Sequence, residues 1–212
     1  MACLQMLGRY SMASTSACLR GADLIPRVPK TMLDRAYTSR VEAIHRALCI
    51  PADYAALFRL ALYEEPAELA DAGVDFLGRK QRLTPMTLAA WSEMQAAAVR
   101  DGIKLLMVSA YRSVDYQVQI FQRKLEAGQT IEQILRVNAA PGYSEHHTGR
   151  AIDIGTPDSP VLEECFEDTQ AYRWLCSHGG EFGFTLSFPR NKSSGIGYEP
   201  WHWCHHASLG SP

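Results

Sequence analysis

No apolar run in this 212-residue chain approaches the roughly 18 to 20 residues needed to cross a bilayer, so the sequence predicts no membrane span. Charge of one sign is equally scarce. With 21 Lys and Arg against 23 Asp and Glu the net charge is −2, which provides no basic field for nucleic acid. The six cysteines, at 3, 18, 49, 165, 176 and 204, contain no C-x-x-C pair and no regular spacing. In a chain this long they read as thiols rather than a disulfide framework, although Cys165 and Cys176 could pair in an oxidising compartment. The lack of acid before Asp23 superficially resembles a transit-type peptide, whereas the lack of charge at the very start and the interruption of the first apolar stretch by Gln5, Gly8 and Arg9 argue against a secretory signal. Residues 1–30 therefore read as a disordered leader, or as an extension upstream of a true start near Met32. A single domain over 31–212 follows.

The apolar content, 47%, is ample for one good core. Residues 32–49 and 52–63 read as helices separated by Pro51, the second ending at Glu64-Glu65-Pro66. Val74 to Leu83 reads as an irregular strand region. Thr84-Pro85 then supplies an N-cap and a first-turn proline for a helix that turns Leu88, Trp91, Met94 and Ala98 inward and stops at Asp101-Gly102. Ile103 to Ser109 is a short apolar run expected to form a buried strand. From Ser113 a helix with the stripe Val114, Val118, Phe121 and Leu125 follows, and Thr130 to Gln133 has capping-box form. A helix over 168–178, a strand over 185–188, a loop over 189–197 and a last strand from Tyr198 to Cys204 complete the reading. Helices interspersed with short strands predict an α+β domain, a small antiparallel sheet flanked by helices.

Chemistry concentrates in two places. Ser144 to Asp153 reads SEHHTGRAID, and Glu199-Pro200-Trp201-His202 lies near the end. Zinc takes imidazole nitrogen and carboxylate oxygen, and a catalytic zinc keeps three protein ligands with one position open. His146, Asp153 and His202 supply that set and leave Glu199 as a general-base candidate. Along Ala151 to Ile154 the alternation points Asp153 to one face and Ile152 and Ile154 to the other. Pro200 disfavours a helix through the second block, so the ligands are expected to converge from two strands, unlike the helical H-E-x-x-H arrangement. His147, on an extended segment beside His146, is expected as a supporting or surface residue. Cys204, His205 and His206 read as a polar C-terminal tail in preference to a second metal cluster. His45 and His178 fall in helices and are not needed for the chemistry.

Ser144-x-His146, Gly149-x-Ala151-x-Asp153 and Glu199-x-x-His202 resemble the signature of the LAS group of metallopeptidases, which includes lysostaphin-type enzymes, D-alanyl-D-alanine metallopeptidases and hedgehog domains. Within it the chain resembles the zinc D-alanyl-D-alanine carboxypeptidases of the vancomycin-resistance type. Ser109-Ala110-Tyr111-Arg112-Ser113, followed by Gln117, is similar to a further block of those enzymes, so the likeness extends over about residues 75 to 205.

The resemblance implies a hedgehog/D,D-peptidase-like zinc domain in which His146, Asp153 and His202 bind Zn2+ and Glu199 is the base. It also implies that Arg112, Gln117 and Ser144 contact the peptide. A guanidinium at 112 suits either a terminal carboxylate or an oxyanion. Helical spacing would let Arg112, Ser113 and Gln117 line one wall. The expected activity is removal of terminal D-Ala from a peptidoglycan stem peptide or muropeptide by a monomer, in the bacterial cytoplasm or periplasm. An L,D-carboxypeptidase, a cell-wall endopeptidase and a non-enzymatic zinc-containing binding module are the alternatives.

Overall fold

The computed structural model describes residues 34–191 and 195–206, so the leader expected at 1–30 lies outside the described residues. Helix α1, Arg35–Ala47, starts where the Asp34 carboxylate accepts the Ala36 N–H. Helix α2 is confined to Tyr54–Phe58, far shorter than the 52–63 expected, because Arg59 adopts a left-handed conformation and caps it. The irregular strand region expected over Val74 to Leu83 proves to be the end of the first arm, the turn and the second arm of a hairpin, β1 Ala70–Val74 against β2 Lys80–Leu83. Helix α3, Pro85–Arg100, begins as its sequence requires, with the Thr84 hydroxyl accepting the Thr87 N–H and proline in the first turn.

Strand β3 is Leu106–Ser109, helix α4 is Val114–Glu126 capped by Ser113, and α5 is Ile131–Val137 with its capping box formed between Thr130 and Gln133. The strands β4 Ala151–Gly155, β5 Phe184–Leu186 and β6 His202–His205 follow, with α6 Gln170–His178 between β4 and β5. They join β3 in a four-stranded antiparallel sheet of order β3-β4-β6-β5. The last strand starts at His202 rather than Tyr198. Pro200 has no N–H to donate to a ladder, and the stretch before His202 is a turn closed by the His202 N–H on the Glu199 carbonyl.

One face of the sheet is covered by α3 and α6. Met107, Ile152, Ile154, Phe184 and Trp203 pack there against Trp91, Met94, Trp174 and Leu175. Trp174 also donates its indole N–H to Asp101 at 2.7 Å, tying α6 to the end of α3. A second apolar cluster holds α1, α2, α4 and α5 together through Ile50, Tyr54, Phe121 and Ile134. Among the described residues no disulfide forms, and Cys165 and Cys176 are not joined. No described helix is long and apolar enough to cross a membrane.

Gly149 closes the turn that leads into β4 with φ at +64°, and a Cβ there would stand 3.3 Å from the Thr84 backbone nitrogen. Gly149→Ala should therefore cost about 1–3 kcal/mol through backbone strain. A lowered urea midpoint with an unchanged slope is the expected reading; an unshifted midpoint would count against this account.

Candidate active site

A bulge in β3 sets up the site. Met107 pairs with Ile154 and Ser109 with Asp153, so Val108 is one residue more than β4 has to oppose it. Met107 therefore faces the core with Ile154, whereas Ser109 turns to the opposite face with Asp153. Asp153 in turn pairs in register with His202 of β6, which brings the two side chains together on that face. His146 arrives differently from expectation. It sits in a 3₁₀ turn, Glu145–Thr148, and not on a strand. Successive side chains in such a turn point about 120° apart, which sends His146 to Asp153 and His147 elsewhere.

One ligand atom from each of His146, Asp153 and His202 can be chosen so that all lie within 4.8 Å of one another. The His146 Nδ1–H donates to the Ala110 carbonyl at 2.6 Å, leaving Nε2 as the lone-pair nitrogen. That nitrogen is buried without a hydrogen-bond partner and lies 3.2 Å from Asp153 Oδ2. Burial, reinforced by the nearby Arg112, lowers the His146 pKa to about 4, so its ring is neutral. A lone pair thus faces a carboxylate oxygen with no proton between them. The donor set fits a divalent cation, which satisfies both.

His202 is positioned by two carboxylates. Its Nδ1 donates to Asp153 Oδ1 at 3.1 Å and its Nε2 to Glu145 Oε2 at 3.0 Å. Burial alone would lower its pKa, but these two partners outweigh burial and raise it to about 10. Burial would likewise raise Asp153, yet the histidines it faces, with His202 as the charged one, hold it well below the usual carboxylate range. In the metal-free chain His202 is an imidazolium held between two anions. Glu145 holds the His202 proton on Nε2, which would leave Nδ1 for a metal. Glu145 is itself held by the Ser187 hydroxyl at 2.5 Å and the Tyr63 hydroxyl at 3.4 Å.

The other expected residues fall around a small cleft of about 40 Å³ lined by Arg112, Gln117, Ser144 and Glu199 with His146 and His202. Glu199 stands 3.7 Å from His202 Nδ1, and burial pushes its carboxyl up to about 7 against the pull of His202. Arg112 Nη2 lies 3.7 Å from Asp153 Oδ2. Gln117 is buried, its amide N–H donating to the Ala139 carbonyl at 2.9 Å while Oε1 has no partner. Ser113 is not brought to this wall. Its hydroxyl accepts the Tyr116 N–H as the cap of α4, and it borders a different hollow.

Two further histidines take defined places. His147, expected as a supporting or surface residue, is the former and is fully buried. Its Nδ1–H donates to the Arg112 carbonyl at 2.6 Å and its Nε2 accepts the Gly142 N–H at 3.0 Å, so it fixes the backbone that carries Arg112. His205 belongs to β6 in the middle of the sheet, not to a polar tail, and its Nδ1 meets the Thr87 hydroxyl at 3.0 Å. Glu145 and Ser187 carried no distinguishing signal beyond the position of Glu145 between Ser144 and His146.

The chain matches the family model described as VanY, D-alanyl-D-alanine carboxypeptidase, over residues 80–208. It is 32% identical over 145 residues to the putative carboxypeptidase YodJ of Bacillus subtilis, covering 65% of this chain and 53% of that protein. It therefore spans about half the length of that relative. The solved structure of LdcB, described as an LD-carboxypeptidase, superposes with a TM-score of 0.60 at 31% identity, over 66% of this chain and 69% of LdcB. A variant of the vancomycin-resistance D,D-pentapeptidase VanY in complex with Zn(II) gives a TM-score of 0.51 at 26% identity, over 67% of this chain and 82% of that one.

Because Glu145 dictates which nitrogen of His202 is available, Glu145→Ala should weaken divalent-cation affinity by about 10- to 100-fold. Glu145→Gln, which still offers an oxygen to the Nε2–H, should lose less. Competition against a chromogenic chelator measures both, and equal affinity in all three proteins would reduce Glu145 to a mere neighbour.

Proposed function

The chain belongs to the VanY family of D-alanyl-D-alanine carboxypeptidases, and from that premise we propose that it is a zinc-dependent carboxypeptidase that releases terminal D-Ala from peptidoglycan-type stem peptides. The observation that carries this reading is the unpartnered His146 Nε2 facing Asp153, with Glu199 beside them in the same cleft. His146, Asp153 and His202 would hold the zinc, in keeping with the Zn(II) in the related VanY structure. When bound, the ion polarises a carbonyl oxygen and makes water a stronger acid.

The protein's own groups carry the rest of the reaction. Glu199, with its pKa near 7, takes the proton of the attacking water and can return it to the departing amine, since an acid–base group is most effective when its pKa lies near the working pH. A neighbouring cation would draw that pKa down and favour the base form. Arg112 offers planar, charged donors to the terminal carboxylate or to the oxyanion that develops on the scissile carbonyl. The open acceptor of Gln117 suits a substrate N–H, and Ser144 lines the same wall.

A second reading within the same chemistry is an L,D-carboxypeptidase, favoured by the likeness to LdcB. Incubation with stem peptides ending in D-Ala-D-Ala, and with stems whose last bond is L,D, distinguishes the two by the mass of the product. Release of one alanine from the first substrate only is the outcome expected here.

Glu199→Gln keeps the shape of the side chain and removes the base. Turnover should fall by about 10²- to 10⁴-fold with zinc content intact. A variant that lost its zinc, or kept its rate, would contradict the assigned role; a zinc-containing binding module would keep both metal and partner.

Zinc uptake should also depend on pH. His202 is protonated at neutrality in the metal-free chain, with a pKa near 10, whereas His146, near 4, is not. Binding must therefore expel one proton from His202, and apparent affinity should fall about tenfold for each unit of pH lowered between roughly 9 and 6. Isothermal titration in buffers of different ionisation enthalpy counts that proton directly, and a count of zero would refute the assignment.

A further inference from the structure

The catalytic cleft is small, and a second hollow of about 320 Å³ opens beside it. Arg112 borders both. The sheet explains why they share a face. Ser109, turned towards the site by the β3 bulge and paired with Asp153, lines the second hollow, and β2 runs alongside with the Arg82 carbonyl accepting the Tyr111 N–H. A chain leaving the cleft over Arg112 would enter this space.

The lining carries four cations, Arg79, Lys80, Arg82 and Arg112, and no carboxylate. Their charges are unequally committed. Arg79 is paired with Asp75 at 2.6 Å, and Arg112 faces Asp153. Among the described residues, neither Lys80 nor Arg82 forms an ion pair. The Arg82 guanidinium is instead laid over the Tyr111 ring at 5.0 Å, an arrangement that restrains it and leaves its in-plane donors available. Carboxylates close by are already engaged. Glu65 accepts the Tyr111 hydroxyl and the Val114 N–H, Asp115 pairs with Arg40, and Asp75 also accepts the Gln81 amide.

We propose that this hollow is a subsite for a carboxylate-bearing part of the substrate upstream of the scissile bond, held by Lys80 and Arg82. The proposal rests on the carboxypeptidase reading and refines it: the preferred substrate is an acidic peptide. Attraction between exposed charges is screened by salt, so the preference is greatest at low ionic strength.

The test uses two peptides with the same D-Ala-D-Ala end, one with a free carboxylate upstream of it and one with that group amidated. Wild-type protein loaded with zinc should favour the acidic peptide by about tenfold through KM, the effect of one charge-assisted contact, and the margin should shrink at high salt. Lys80→Ala combined with Arg82→Ala should reduce the preference to about twofold or less with kcat retained, and Lys80→Arg with Arg82→Lys should restore it. A preference that survives removal of both cations would overturn the proposal, as would its absence in the wild type. If neither peptide is cleaved, the carboxypeptidase reading fails on its own account. Calorimetric titration of the acidic peptide then still decides the subsite: about tenfold weaker binding to the double alanine variant supports it, and equal binding or none overturns it.

Discussion

A carboxylate buried in a protein is tolerable only when positive charge comes with it, and Asp153 is buried at the centre of a sheet face. The surrounding structure answers that demand. His202 lies opposite it in register, His146 reaches it from a turn, and Arg112 stands behind. The imidazolium of His202 supplies part of the balance, but it is shared with Glu145, and neutral His146 adds another lone pair to the same space. The unpartnered His146 Nε2 beside Asp153 fits a cation site, since a divalent ion would replace the His202 proton and would satisfy His146 and Asp153 together.

The fold keeps this cluster apart from its own stability. Ile152 and Ile154 alternate with Asp153, so one strand anchors the apolar core on one face and presents a ligand on the other. The β3 bulge does the same for its neighbour, committing Met107 to the core and the segment from Ser109 to Arg112 to the site. Second contacts then remove freedom from the functional groups. The Ala110 carbonyl fixes the His146 tautomer, His147 clamps the Arg112 backbone, and Ser187 holds Glu145. A cluster braced in this way would need little rearrangement to bind an ion.

Much of this could be read from the residues. Thr84-Pro85 and the Thr130 capping box gave true helix starts because capping is a local interaction between neighbours in sequence. The α+β class and the three residues that approach one another were legible for a related reason, since residue type and strand alternation constrain chemistry and direction together. What escaped was non-local. Nothing near Arg59 announces that it ends α2, and nothing near Val108 announces a bulge, because both depend on how the backbone packs elsewhere. Ser113 differs for a local reason: helical spacing placed it near Gln117, but the demand for an N-cap took its hydroxyl. His205 looked like part of a tail only because its partner, Thr87, lies 118 residues away.

Stereochemical preference cannot reside in the metal ligands or in Glu199, because polarising a carbonyl and moving a proton are the same task for either configuration. It must come from the walls. Phe188, its ring 4.9 Å from that of His202, Ile196 and Val137 are the apolar members of a lining whose polar members include Arg112, Gln117 and Ser144. For a substrate held by the polar groups, one methyl group gained or lost against an apolar wall would be worth about 1–3 kcal/mol, and hence about 10- to 200-fold in selectivity. Small changes in this wall are thus sufficient to separate D,D from L,D enzymes while leaving the ligand set untouched, which accounts for a fold whose solved relatives are described in both terms.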